Sequence, residues 1–132
     1  MTDVEALQMG TTEWVDRWVE VINDDEQIAR VGRFFEGRMA VRFAEDRRYI
    51  LHIVGGHVLT VLVNPIWDKP WDFELAASLE TWERSAEEIP RPFYQDIFGM
   101  MWNHGMTVEG DVVLAMQNIR ALKMMLAAMK RV

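Results

Sequence analysis

The chain has 132 residues, half of them apolar and 27% charged, a balance that fits one globular domain spanning 1–132 and excludes a disordered tract. Its 21 acidic against 14 basic side chains give a net charge of −7, which argues against nucleic acid as a partner, because phosphate neutralisation drives most such binding. There is no cysteine, so disulfides, thiol nucleophiles and zinc–thiolate sites are excluded. With an acidic start (Asp3, Glu5) where a signal peptide would be basic, and no apolar run of the ~20 residues that span a bilayer, the expectation is a soluble, cytoplasmic protein.

In chain order, Trp14, Val15, Trp18, Val19, Val21 and Ile22 recur at three- and four-residue spacing and predict a helix over 12–31. Asn23 to Glu26 interrupts it, with Asn23 and Glu26 spaced as a capping box for a short second helix ending at Gly32. Residues 38–44 then alternate, with Met39, Val41 and Phe43 on one face and Arg38 and Arg42 on the other. A polar turn at 45–48 leads to a strand over 49–54, Gly55-Gly56 makes a hairpin turn, and a third strand follows over 57–63. The second and third strands are apolar almost throughout, which predicts central positions covered on both faces. Asn64-Pro65 breaks the run, and 71–77 alternates again with Trp71, Phe73, Leu75 and Ala77 inward and Asp72 and Glu74 outward.

A helix over 78–88, a second beginning near Pro92 and running over 93–103, a short strand over 106–109 and a last helix over 112–130 complete the order. The last helix is apolar around much of its circumference and should be buried on more than one side. The expected fold is therefore α+β: a five-stranded sheet, four N-terminal strands plus one late strand, covered by helices and closed by a long C-terminal helix.

Catalytic motifs are absent. Neither Ser78 nor Ser85 sits in a nucleophile elbow, no glycine-rich loop precedes a helix, and Asp24-Asp25-Glu26 lacks the calcium-loop pattern. His52 and His57 flank a hairpin and could hold a metal with a carboxylate, but two histidines without a signature spacing read better as hydrogen-bonded strand residues. No cofactor and no metal is expected. Six arginines, Arg30, Arg33, Arg38, Arg42, Arg47 and Arg48, fall in one stretch. They read as a solvated rim or as a landing patch for an anionic headgroup, an acidic membrane or an acyl-carrier phosphate.

What stands out is apolar capacity: 10 methionines, seven of them in the last third, and 6 tryptophans. Trp67, Trp71 and Phe73 lie beside one strand, and Phe98, Trp102 and the methionines lie on the last two helices. Two readings follow, a solid core or a tunnel between the sheet and the C-terminal helices that holds a lipid. An empty cavity of ~400 Å³ would cost on the order of 10 kcal/mol, as much as a domain's whole stability, so such a tunnel must be filled or must close. Methionine permits closure.

Here the chain resembles the sterol carrier protein type 2 family. The segment Met106-Thr107-Val108-Glu109-Gly110-Asp111, running on to Met116, resembles the family's last strand, turn and final helix. Trp71-Asp72-Phe73-Glu74-Leu75-Ala76-Ala77-Ser78 resembles its fourth strand, and Val31-Gly32 with the following hairpins keeps its order; together these span about residues 25–130. The resemblance implies a five-stranded α/β layer with a hydrophobic tunnel for a fatty acid, fatty acyl-CoA, sterol or phospholipid, and no chemistry performed on it. By that similarity Met106 and Val108 point into the tunnel from the last strand, and Met116, Ile119, Met125 and Met129 line it from the last helix. The stretch 89–104 is longer than the family's link, so Phe98, Met101 and Trp102 would cap or fill the tunnel beside Trp71 and Phe73. The ending Lys130-Arg131-Val132 is not a peroxisomal signal. The competing readings are an interaction module whose apolar surface binds a partner or a second copy, and a small enzyme using His52, His57 or His104 in an apolar pocket; the latter sits poorly with a chain that ends in a helix.

Overall fold

A computed structural model describes residues 7–63 and 70–132; Trp67 and the Asn64-Pro65 break lie outside them. Helices α1 (Thr12–Asp24) and α2 (Glu26–Val31) precede strands β1 (Glu36–Ala44), β2 (Arg47–Val54), β3 (His57–Val63) and β4 (Phe73–Ala76). Helices α3 (Leu79–Ser85) and α4 (Ile97–Asn103), strand β5 (Thr107–Gly110), helices α5 (Val112–Gln117) and α6 (Ile119–Ala127), and a 3-10 turn at Ala128–Arg131 follow. The five strands form one mixed sheet in the order β3-β2-β1-β4-β5, with β4 parallel to β1 and the other neighbours antiparallel. The expected α+β layer is what the chain builds.

Alternation along the strands decides which side chains meet the helices. Met39, Val41 and Phe43 of β1, Tyr49, Leu51 and Ile53 of β2, and Phe73 and Leu75 of β4 are buried on one face. Against them packs an aromatic cluster in which Trp14, Trp82 and Tyr49 surround Phe43 at centroid distances of 5.6, 5.5 and 6.0 Å, with Trp18 5.7 Å from Trp14. The polar tips are satisfied: the Trp18 indole N–H donates to the Met125 carbonyl (2.8 Å), the Trp82 indole N–H to the Arg42 carbonyl (3.0 Å), and the Tyr49 hydroxyl to the Gly10 carbonyl (2.7 Å). Such bonds let a large amphipathic ring be buried without stranding a donor.

Several expectations are corrected. The cap of α2 is Asp25, whose carboxylate accepts from the Gln27 and Ile28 N–H groups. Asn23 instead clamps β3, donating from Nδ2 to the Val58 carbonyl (3.0 Å) and accepting the Val58 N–H at Oδ1 (2.8 Å). Strand β3 is an edge strand rather than a central one, and it exposes Leu59, Leu62 and Val63. An apolar run reads as two-sided burial, but β4 returns parallel to β1 and so makes β1, not β3, the centre. Glu74, expected outward in solvent, is on the far face but buried, held by Arg48 (2.5 Å) and Arg42 (3.7 Å). Helix α4 begins at Ile97, after the extended N-cap Asp96, and Phe93, expected inside it, takes a φ of 70° that a right-handed helix does not allow. The C-terminal helical stretch is broken at Asn118, whose side chain turns back to the Leu114 carbonyl.

Candidate functional site

The segment between α3 and α4 is built from Pro90 and Pro92, and folds back on the helix it precedes. Gly99 makes this possible: a Cβ there would lie 2.8 Å from the Phe93 carbonyl oxygen. The Tyr94 ring stacks on His104 at 3.6 Å, His104 Nε2 lies 3.3 Å from the Pro92 carbonyl, and Asp96 caps α4. Held in this way, the segment and α4 lean against α6 and leave a cleft of about 200 Å³. Ile97, Met100 and Leu126 supply apolar wall, while Tyr94, Lys123 and Lys130 bring polar groups to its rim. Lys123 is 3.5 Å from Asp96 and sits 5.0 Å above the Phe98 ring. Among the described residues Lys130 has no ion-pair partner.

The end of this helical wall is fastened to the rest of the molecule. Arg131 bonds Asp25 at 2.7 Å, tying the last turn to the start of α2. That hydrogen bond is the main reason the Asp25 carboxyl titrates below its ordinary value, with the Ile28 and Gln27 N–H groups adding to it.

The residues anticipated from the sequence do not gather around one cavity among the described residues. Phe73, Met106, Met125 and Met129 are packed into the core. Trp71, Phe98, Met101, Val108, Met116 and Ile119 are half-buried, and Trp102 is 79% exposed. Ile119 faces a different groove, beside α2, and Met129 borders one near Leu7 and Trp14. The cleft residues Ile97, Met100, Lys123, Leu126 and Lys130 were missed, yet they carry a signal: Ile97 and Met100 are three apart, and Lys123, Leu126 and Lys130 follow at three and four, so each set shares one helical face.

The arginine stretch divides. Arg30 and Arg33 border the groove beside α2, Arg42 and Arg48 hold Glu74, and Arg47 borders the groove near Trp14. The two hairpin histidines are not opposite each other, since His52 pairs with Thr60 and His57 with Val54. Among the described residues no three His, Asp or Glu side chains gather as a metal site, and no helix is long and apolar enough to cross a membrane.

The fold is that of the sterol carrier proteins. A crystal structure of sterol carrier protein 2 superposes with a TM-score of 0.76 at 15% identity, covering 94% of this chain and 98% of that one. A conserved hypothetical protein of Thermus thermophilus, described as possibly a sterol carrier protein, matches at 0.69 and 16% over 98% and 93% of the two chains. A UbiJ-SCP2 ubiquinone synthesis protein matches at 0.62 and 12% over 98% of each. No family model and no curated protein matches the sequence.

Proposed function

We propose that this chain, acting as one domain, binds a hydrophobic ligand and performs no chemistry on it. The cleft between α4 and α6 carries the reading, because it joins an apolar wall to a lysine rim within a sterol-carrier fold. The ligand class is a fatty acid, fatty acyl-CoA, sterol or phospholipid. A cavity of about 200 Å³ is below the ~300–1,000 Å³ of ordinary ligand sites, so a guest must widen it. Met100, Met125 and Met129 are the side chains able to yield, being unbranched and flexible. The residues drawn from the sequence, Phe73, Met106, Val108, Met116 and Ile119 with Phe98, Met101, Trp102 and Trp71, would have to come together around the guest as the cleft widens, since among the described residues they do not surround one cavity. Lys130, which has no ion-pair partner among the described residues, favours an anionic head, whereas Lys123 is paired with Asp96 on the same rim. A cytoplasmic setting belongs to the same reading.

The test is extraction of the purified chain followed by mass spectrometry, with thermal shifts on adding fatty acids or sterols. A lipid recovered in stoichiometric amount and a rise in Tm are expected, because a ligand that binds only the folded state stabilises it. Ala127→Trp, from an exposed cleft position, should abolish both and leave the unliganded Tm unchanged. No lipid and no shift in the parent chain would overturn the proposal; undiminished binding in the variant would overturn the cleft.

A second reading is an interaction or dimerisation module. Ile89 at 86%, Trp102 at 79% and Phe93 at 55% exposure favour it, since large exposed apolar side chains grouped in one stretch mark contact surfaces. Light scattering over a range of concentrations tests the dimer: a constant monomer mass removes it.

A further inference from the structure

On the opposite side of α6 from that cleft's lysines, three structural elements meet through small residues. Gly32 ends α2, Gly56 sits in the β2–β3 turn and Ala121 lies on α6. A Cβ on Gly32 would come within 3.1 Å of Gly56 Cα and 3.3 Å of Ala121 Cβ. Gly56, at a φ of 80°, would bring a Cβ within 3.0 Å of the Gly32 and Ile28 carbonyl oxygens. The junction is therefore close-packed, and the turn that leaves it is held at both ends. The Phe35 N–H donates to the Gly32 carbonyl (2.8 Å), and the Phe35 ring is fully buried, stacked on Phe73 at 6.3 Å.

With Phe35 turned inward, the turn at 32–34 leaves Phe34 facing outward. Phe34 is 82% exposed, a large cost in apolar surface for a residue on a fixed turn. Arg33 lies over that ring at 4.8 Å, and its guanidinium also donates to the Arg30 carbonyl (2.9 Å). Arg30, Arg33, Phe34 and Arg120 border one open groove of about 480 Å³, completed by Gln117 and Asn118. The groove lining contains no carboxylate. Among the described residues none of the three arginines has an ion-pair partner, although the chain as a whole is acidic at −7.

We propose that the α2–β1 turn with the start of α6 is a docking surface for an anionic phospholipid bilayer, on which Arg30, Arg33 and Arg120 contact headgroup phosphates while Phe34 enters the interface. Concentrated positive charge on a negatively charged protein matches a negative surface and fixes the orientation of approach. An aromatic ring held out beside the arginines supplies the apolar anchoring that charge alone lacks. The proposal is independent of what the α4–α6 cleft holds, because docking needs no cargo.

Co-sedimentation of the intact chain with phosphatidylcholine vesicles, with and without phosphatidylglycerol, tests it. Binding is expected only to the phosphatidylglycerol vesicles, and to weaken steeply with added salt. The triple variant Arg30→Gln/Arg33→Gln/Arg120→Gln should bind about 100-fold more weakly, near fivefold per arginine. Phe34→Ser should lose severalfold while keeping the salt dependence. The control Arg17→Gln/Arg84→Gln/Arg91→Gln removes equal charge elsewhere and should bind as the parent does. All these side chains are on the surface, and circular dichroism checks that each variant is folded. Equal binding to both vesicle types, an equal loss in the control, or binding of glycerol phosphate without binding of vesicles would each overturn the proposal.

Discussion

Two adjoining parts of the interior, an aromatic end and a methionine end, are filled in opposite ways. Under β1 and β2, Trp14, Trp18, Phe43, Tyr49 and Trp82 interlock, and the indole and phenol tips of Trp18, Trp82 and Tyr49 bond to backbone carbonyls. Along α4, α6 and the 3-10 turn that follows, the filling is Met100, Met125, Met129 and Leu126, with a cleft left between the helices. Both ends are apolar, so composition does not separate them. A planar ring with a bonded tip has one orientation, whereas a thioether chain with three rotatable bonds has many. The expected consequence is that truncation costs more stability at the aromatic end, and that the methionine end rearranges more readily.

Paired truncations break this comparison most directly. Trp18→Ala removes a fully buried indole and its bond to Met125, and should cost about 3–5 kcal/mol in denaturant unfolding. Met100→Ala, at a wall already facing a cleft, should cost about 2 kcal/mol. Equal costs would mean that the two ends are packed alike. Gly99→Ala comes next, because its Cβ would press on the Phe93 carbonyl. A loss of about 1–3 kcal/mol is expected, together with faster proteolysis of the segment before α4.

Smaller effects sharpen the picture. Asp25→Ala removes the α2 cap and the clasp to Arg131, and should cost about 1 kcal/mol near neutral pH. Because the folded carboxyl is held below its ordinary value, its stabilisation is complete above that ordinary value. It is lost as pH falls through the lowered one, so the parent and variant stabilities should converge in acid. Urea titrations across pH measure the convergence. Least of all, Phe93→Gly relieves a positive φ of 70° at a half-exposed ring and should raise stability by up to about 1 kcal/mol; a fall would show that the ring contributes more than the backbone strain costs.

Much of the fold was legible. The periodicity of Trp14, Trp18 and Ile22, the alternation of Met39, Val41 and Phe43, and the Gly55-Gly56 turn each state a local preference that the structure keeps. The position of β3 was not legible, since an apolar strand looks the same at an edge or in the centre until its pairing is known. The site was less legible than the fold. Methionine enrichment near the carboxyl end drew attention to the helices between which the proposed cleft lies. The wall of the cleft, however, is Ile97, Met100 and Leu126, while Met106 and Met125 lie in the packed core and Trp102 faces outward.

The sequence by itself determined the elements and their order, because helix and strand periods, caps and turns act over a few neighbouring residues. Only the tertiary structure decided which apolar side chains interlock, which wall a cleft and which face outward. Those outcomes depend on contacts between segments far apart in the chain, as when the Trp18 indole meets the Met125 carbonyl or the Arg131 guanidinium meets Asp25. Nothing in the local pattern of either partner specifies the other.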